Sequence, residues 1–284
     1  MWMWLVLVYG ILKGFREIVK KKSLEKSSVA EVLFFYTLIG FLFVIPGAFS
    51  MKAMEPVYYA YIFIKSFIIF MAWICSFKAI RQLPISLYGI LDLSRVLFAT
   101  LLGVIVLGEV LNFTQVIGLL CVLFGLLLLK WHPGKRSGKQ QYKKTEVKYI
   151  LFAFISCILN AVSGLMDKIL MKEIDSTQLQ FWYMLFLVIL YFVYMFFSKE
   201  KIQIRKSIKN PWIWLLSLMF VVGDKALFLA NGMAESRITV MTLIKQSGCI
   251  VTILAGKFIF KEKQIAYKLF CAGVIILGIV ISVI

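Results

Sequence analysis

The sequence predicts an all-α membrane protein in which ten transmembrane helices form two inverted five-helix repeats around a central cavity. Three observations lead to this prediction. The chain is too hydrophobic for a soluble domain of its size, its apolar residues fall into ten separate segments, and its two halves repeat one another.

The composition sets the class of protein. Hydrophobic residues make up 62% of the 284 residues, and charged residues make up only 16%. A soluble domain of this length cannot bury so much apolar surface, and the mean hydropathy of +0.91 agrees. We therefore expect an integral membrane protein whose backbone polar groups are satisfied inside helices.

The apolar residues fall into ten segments, and each is predicted to form one spanning helix. Their limits are 1–18, 28–49, 56–79, 84–108, 112–131, 147–170, 177–197, 211–233, 238–260 and 265–284. The linker at 132–146 is polar and basic, and it divides the chain into two predicted repeats, 1–131 and 147–284. Each repeat therefore contains five helices.

Matching residues in the two halves support an internal repeat. An offset of 153 residues places Asp92, Ser94, Gly103, Glu109 and Gly125 on Lys245, Ser247, Gly256, Glu262 and Gly278. An offset of 150 places Gly14 on Gly164 and Glu17 on Asp167. Because each repeat has an odd number of spans, the two halves must insert in opposite orientations. Inverted repeats of this kind are typical of transporters, with the binding site between the halves.

Lysine and arginine are distributed unevenly between the two sides of the membrane. The loops after the odd-numbered segments, with their flanks, hold 21 of the 32 basic residues, and the opposite side holds four. Basic loops remain in the cytoplasm. We therefore expect a multi-pass protein of the plasma membrane, of the bacterial inner-membrane type, with the linker inside and both termini outside.

The net charge of +18 would suggest a nucleic-acid partner if the protein were soluble. In a membrane protein, basic loops instead meet the anionic headgroups of the cytoplasmic leaflet. Membrane lipids, and not nucleic acid, are therefore the expected partners besides a small-molecule substrate. The sequence is compatible with a homodimer.

Neither a metal site nor a cofactor site is predicted. The five cysteines lie in apolar segments without metal-ligand spacing, and the lone His132 lies in the basic linker. The chain also lacks a histidine pair, an aspartate-rich motif and a phosphate-binding glycine loop. We therefore expect no catalytic residues, no enzymatic activity and no use of ATP by this chain alone.

Several ionisable residues lie inside the apolar segments, where charge is costly and usually faces a cavity or another charge. The candidate binding residues among them are Lys65, Asp92, Arg95, Asp224, Lys225 and Lys245. One interpretation is a polar lining for a solute path, and the other is a buried ion-pair network that fixes helix packing. A pair between Asp92 and Lys245 is feasible, as is a local pair between Asp92 and Arg95.

Other charges have simpler interpretations. Lys13, Arg16 and Glu17 lie late in the first segment, where they could reach the cytoplasmic headgroups, with a role in a cavity as the alternative. A headgroup contact is also expected for Lys257. Asp167 adjoins Lys168 near the end of its segment, so solvation is the expected state there.

The six candidate charges comprise four cations and two carboxylates, a surplus of two positive charges. Such a cavity suits an anionic or zwitterionic solute, whose carboxylate or phosphate could bind a lysine or arginine. Trp73 and Tyr88 are candidate aromatic walls, which could equally hold an amine through cation–π contacts. Gln246 completes the candidates as part of a small polar patch that could also serve helix packing.

The ends of the two halves resemble the drug/metabolite transporter superfamily, with two EamA-type domains. Residues 108–129, GEVLNFTQVIGLLCVLFGLLLL, end the first half, and residues 261–282, KEKQIAYKLFCAGVIILGIVIS, end the second. In the family each repeat closes with a Gly-Glu or similar turn before a glycine-bearing last helix. The first half matches as Gly108-Glu109, whereas Lys261-Glu262 keeps only the acid. The resemblance implies that the first, third and fourth spans of each half line the cavity, that the last spans are peripheral, and that transport uses alternating access.

The predicted function is secondary transport of a small polar organic metabolite, zwitterionic or anionic and similar to an amino acid. The alternative is a carrier or exporter of organic amines, such as choline or drugs. More remote alternatives are a non-transporting membrane subunit, which would have a solid core, and a lipid-modifying enzyme, which would need a cluster of acids, bases or metal ligands.

Overall fold

A computed structural model describes residues 2–49, 51, 53–130, 144–198, 202–262 and 265–283, and every regular element in these ranges is a helix. The first half contains α1 (Trp2–Leu24), α2 (Val29–Ala48), α3 (Pro56–Gln82), α4 (Ile85–Asp92), α5 (Arg95–Leu107) and α6 (Phe113–Lys130). The second half contains α7 (Lys144–Leu170), α8 (Ser176–Phe197), α9 (Ile204–Ile208), α10 (Pro211–Asn231), α11 (Ile238–Lys245), α12 (Gly248–Phe258) and α13 (Ile265–Val283). Most of the predicted linker lies outside the described residues.

Six stretches are long and apolar enough to cross a membrane. They are α2, α3, the α4–α5 pair, α8 and α10, together with Val147–Leu170 of α7. Shorter apolar helices cover Phe113–Gly125, Gly248–Phe258 and Ile265–Gly278. The structure therefore confirms an all-helical protein with many apolar helices, whereas a total of ten spans remains a prediction.

The helix starts repeat between the two halves. A capping box begins α2 at Ser28, and another begins α8 at Asp175. Such a box satisfies backbone N–H groups that have no partner within the helix. Proline occupies the first turn of both α3 and α10, where its missing N–H costs nothing. These local signals give the two halves the same pattern of boundaries.

The fourth and ninth predicted segments are each broken near the middle, which corrects the expectation of one continuous helix in each. At the first break, Ser94 N donates to Leu91 O at 3.0 Å, and at the second, Ser247 N donates to Ile244 O at 3.1 Å. Both bonds span three residues, as in a tight 3₁₀ turn. The breaks lie at the positions that the offset of 153 relates, so the repeat extends to backbone geometry.

The broken helices also end alike. Glu109 N donates to Gly103 O, and Glu262 N donates to Gly256 O, which closes each helix with the same turn. The residue before each glutamate is left-handed, with φ of 64° at Gly108 and 49° at Lys261. The departure of Lys261 from the family pattern therefore changes the residue but not the turn.

Each of these glutamates caps a helix of the opposite half. Glu109 Oε1 accepts a hydrogen bond from Ile238 N, at the start of α11, at 2.8 Å. Glu262 Oε1 accepts from Ile85 N, at the start of α4, at 2.6 Å, and Ser86 also donates to Glu262. We call these two contacts the reciprocal caps. They join the halves at opposite ends of the molecule.

The charge of Glu262 is well stabilised. Burial acts to raise the pKa of this carboxyl, but hydrogen bonds from Ser86 and the nearby Lys268 ammonium outweigh burial and hold the pKa below its usual value. The contribution of the charged cap to stability is therefore present at neutral pH and is lost only as the pH falls through this lowered pKa.

The helices pair across the two halves, α1 with α10, α3 with α7, α2 with α8 and α6 with α13. Tyr36, Trp73, Phe220 and Tyr183 from four different helices form an aromatic core between the halves. The α6–α13 pair has few contacts with the other helices apart from α4, α11 and α12. Its outlying position is the one that the family resemblance implies for the last spans.

The left-handed residue at Lys261 provides a test of the shared turn. An L-residue pays about 1–2 kcal/mol in this conformation, and glycine does not. We expect Lys261→Gly to stabilise the protein by about 1 kcal/mol, because the exposed lysine side chain is dispensable there. Gly108→Ala should destabilise it by a similar amount. Thermal unfolding of the detergent-purified variants measures both, and a destabilising Lys261→Gly would contradict the expectation.

Candidate functional site

A cavity lies at the centre of the helices, between the two halves. It is lined by α1, α3, α4 and α5 from the first half and by α7, α8, α10 and α11 from the second. The cavity has a volume of about 70 Å³. The first, third and fourth segments of each half thus surround the cavity, as the family resemblance implies.

Charged side chains form a large part of the cavity wall. Six cations and three carboxylates line it: Lys13, Arg16, Lys20, Lys65, Arg95, Lys245, Glu17, Asp167 and Asp224. Asp92 lies directly behind this wall, in contact with two of the cations. With Asp92 included, the site keeps a surplus of two positive charges.

Asp92 joins the two halves of the first broken helix to α1. Its Oδ1 accepts a hydrogen bond from Arg95 at 2.6 Å, and its Oδ2 accepts from Lys13 Nζ at 2.5 Å. Lys13 is only 6% exposed. The expected headgroup contact of Lys13 is therefore wrong, and the partners of Asp92 are Lys13 and Arg95 instead of Lys245.

Lys65 and Asp167 form a second buried pair, between α3 and α7. Their N···O distance is 3.1 Å, and Lys65 is 1% exposed. The Lys65 ammonium also lies 3.4 Å from the ring centroid of Tyr183. Asp167 is thus buried in the cavity wall, which corrects the expectation that it is solvated.

Two further pairs complete the wall on the side of α1. Arg16 Nη1 lies 3.4 Å from Asp224 Oδ1, and Lys20 Nζ donates to both carboxylate oxygens of Glu17 at 2.7 Å. Glu17 and Lys20 are both buried. The expectation that Arg16 and Glu17 reach the headgroups is therefore wrong as well.

Lys245 differs from the other cavity cations. It ends α11, at the second helix break, and is 8% exposed. Within the described part of the chain, no carboxylate lies within 4.0 Å of its ammonium, and it has no hydrogen bond. The Lys245 ammonium lies 5.9 Å from the centroid of the Tyr9 ring. The cavity thus contains a buried cation without an anionic partner.

Besides Asp92, two predicted site residues lie outside the cavity. Gln246 lies behind the wall, where its Oε1 accepts from Lys13 at 3.1 Å and its Nε2 donates to Asp92 O at 3.3 Å. Lys225 points away from the cavity, towards α8, and donates to Thr177 Oγ1 at 2.8 Å. Gln246 therefore supports the site, whereas Lys225 serves a helix contact.

Both predicted aromatic residues line the cavity. Trp73 packs against Phe220 at 5.1 Å between ring centroids, and the Tyr88 hydroxyl lies 2.6 Å from Ser76 Oγ. Tyr9 and Tyr183 also line it, although neither was among the predicted site residues. Tyr183 is 2% exposed, so it belongs to the core.

A signal in the sequence could have identified the face of α1. The cavity residues Tyr9, Lys13, Arg16, Glu17 and Lys20 follow one another at spacings of three or four residues, with one adjacent pair. This spacing places them on one helical face. Charges that reach headgroups would cluster at the end of a span, whereas these extend over three turns.

The described residues contain no group of three or more His, Cys, Asp or Glu side chains that could hold a metal ion. The cysteines there are unpaired thiols. The side chains that line the site can bind a solute through ionic contacts and hydrogen bonds from lysine, arginine and carboxylate groups, with aromatic rings beside them.

The Lys65–Asp167 pair gives a direct test of whether the charges in the cavity wall are buried as ion pairs. Removing one partner of a buried pair leaves an uncompensated charge and costs about 3–5 kcal/mol. We expect Lys65→Met and Asp167→Asn each to lower the thermal stability of the purified protein. The double variant should recover most of the loss, because both charges are then absent. A double variant as unstable as the sum of the two single variants would show that the residues act separately.

Comparisons with known proteins agree with this architecture. A solved crystal structure aligns with 96% of this chain and 97% of its own, with a TM-score of 0.66 and 13% sequence identity. At this identity the likeness shows a shared fold. No curated protein matches the chain. The sequence pattern of the EamA-like transporter family matches residues 1–131 and 147–284, which are the two predicted repeats. The chain therefore belongs to the EamA-like transporter family.

Proposed function

We propose that this protein is a secondary carrier that moves a small zwitterionic or anionic organic metabolite, similar to an amino acid, through the central cavity. The observation that carries the proposal is the buried, unpaired Lys245 in a cavity with a surplus of two cations. A buried charge without a partner is costly. A solute carboxylate or phosphate that binds there would supply the missing anion.

The cavity volume supports a small solute. The cavity volume of about 70 Å³ is well above the roughly 10–15 Å³ that one water molecule needs. A small metabolite would fill this conformation. Larger solutes such as nucleotide sugars would require the helices to separate.

A zwitterion would use both signs of charge in the wall. Its carboxylate would bind Lys245, and its ammonium would bind Asp224, whose distance of 3.4 Å from Arg16 is the longest of the described cavity ion pairs. Charge-assisted hydrogen bonds of this kind are stronger than neutral ones. The substrate would then compete with Arg16 for the carboxylate of Asp224.

We propose that transport proceeds by alternating access. We propose ten spans, with the linker side in the cytoplasm, so that the Glu262 cap closes the cytoplasmic side and the Glu109 cap closes the outer side. Each cap crosses between the halves. Release of one cap at a time would let the halves rock about the central cavity, as in other inverted-repeat carriers.

An organic amine is the second candidate substrate. Tyr9, Trp73 and Tyr88 present aromatic rings to the cavity, and Asp224 could neutralise a cation. The ring of Tyr183, however, already lies against the Lys65 ammonium. The surplus of cations in the wall also opposes a permanently charged amine.

Ligand binding to the purified protein tests the proposal first. Amino acids or phosphorylated metabolites should raise the melting temperature, since a ligand that binds the folded state stabilises it by mass action. Lys245→Met should reduce the affinity at least about tenfold, which corresponds to one lost charged contact. Lys225→Met is the matched control, because it removes a lysine outside the cavity and should retain the affinity.

Two results would contradict the proposal. Stabilisation by amines alone would favour the second candidate. Equal affinities in the Lys245 and Lys225 variants would remove the assigned role of Lys245.

The reciprocal caps predict opposite effects on the two sides of the membrane. Glu262→Gln should expose a cavity cysteine, introduced as Ser163→Cys in a cysteine-free background, to an impermeant maleimide from the linker side. Glu109→Gln should expose it from the other side. Each rate should rise several-fold, because one charged interhelical contact is lost. The rate of maleimide labelling is measured in vesicles of both orientations. Glu25→Gln, which removes a surface carboxylate, is the control and should leave the rate unchanged. Equal labelling from both sides in each variant would contradict the assignment.

A further inference from the structure

We propose that the two helix breaks form a site for a small monovalent cation, and that the Lys13 ammonium permanently occupies it. The free ligands that fit such a site are a primary alkylammonium ion or Na⁺. This site has one consequence for the proposed transport function. The carrier would need no free Na⁺ at its centre.

The ends of two helices create the site. α4 ends at Asp92 and α11 ends at Lys245, and each break lies near the middle of its predicted segment. A helix C-terminus carries partial negative charge on carbonyl groups that lack partners within the helix. Broken helices use such ends to bind cations at the centre of transporters.

The Lys13 ammonium makes the contacts that a bound cation would make. It donates to Asp92 Oδ2 at 2.5 Å and to Gln246 Oε1 at 3.1 Å, so each break contributes one oxygen. The Gln246 side chain is fixed by its own bond to Asp92 O. Arg95 contacts the other carboxylate oxygen, Oδ1, and therefore leaves Oδ2 to Lys13.

The backbone of α1 is positioned for this role. A Cβ atom on Gly14 would lie 2.5 Å from Gly248 O, and one on Gly248 would lie 2.3 Å from Gly10 O. Only glycine permits helices to approach so closely. The contact holds α1 against the start of α12, which places Lys13, the residue before Gly14, at the break.

Little space remains beside Lys13. A void of about 10 Å³ adjoins Lys13, Tyr88, Asp92 and Gln246, which is room for about one water. Removal of the lysine side chain would enlarge this void and leave Asp92 Oδ2 and Gln246 Oε1 without their donor. Unsatisfied buried acceptors are costly, so an added cation that restores these bonds should stabilise the protein.

The test compares Lys13→Ala with Lys13→Met in the full-length, detergent-purified protein. Both variants remove the ammonium, but only alanine leaves room for a free cation. The probes are methylammonium chloride and, as a salt control without N–H donors, tetramethylammonium chloride. We expect methylammonium to raise the melting temperature of Lys13→Ala by about 2 °C or more relative to the control salt. Lys13→Met and the wild type should show no such difference.

A Lys13→Ala variant that responds no more than Lys13→Met would overturn the proposal. If Lys13→Ala does not fold, the wild type decides the question. Its melting temperature should be the same in equal concentrations of sodium, potassium and tetramethylammonium chloride, because the site is already filled. A saturable stabilisation by Na⁺ would show that a free cation binds, and would reject Lys13 as the occupant. Neither measurement needs a substrate, so the result is independent of the proposed transport function.

Discussion

The pairing of Asp92 with both Lys13 and Arg95 is the interaction on which the centre of this protein depends. A lone carboxylate at this depth would be strongly unfavourable, since neither water nor lipid can neutralise it there. The two cations come from α1 and from the far side of the helix break. One carboxylate therefore fixes the position of α1, stabilises the break and leaves Lys245 facing the cavity without a partner.

The repeat is symmetric in backbone and asymmetric in charge. Both broken helices have the same tight turn, the same left-handed ending and a glutamate that caps the opposite half. At the break itself, however, Asp92 in one half corresponds to Lys245 in the other. In the proposed mechanism, the shared backbone would provide two equivalent closures for a rocking motion, while the different side chains would distinguish the two ends of a zwitterion.

The candidate site was only partly predictable, for a reason that α1 illustrates. Lys13 and Glu17 are as compatible with a headgroup contact as with a cavity, because a single helix does not reveal which of its neighbours covers its charged face. The same ambiguity affected Asp167, whose partner Lys65 is about a hundred residues away in the sequence. Lys225 shows the opposite error, since adjacent residues on a helix point in different directions.

The sequence by itself determined the membrane class, the apolar helices, the two repeats and the surplus of positive charge. These features follow from composition and periodicity, which are local properties of the chain. Only the tertiary structure decided which charges pair, that both central helices are broken, and that Lys245 is left without an anion. Those outcomes depend on contacts between residues far apart in the chain, where the cost of burying each charge selects its partner.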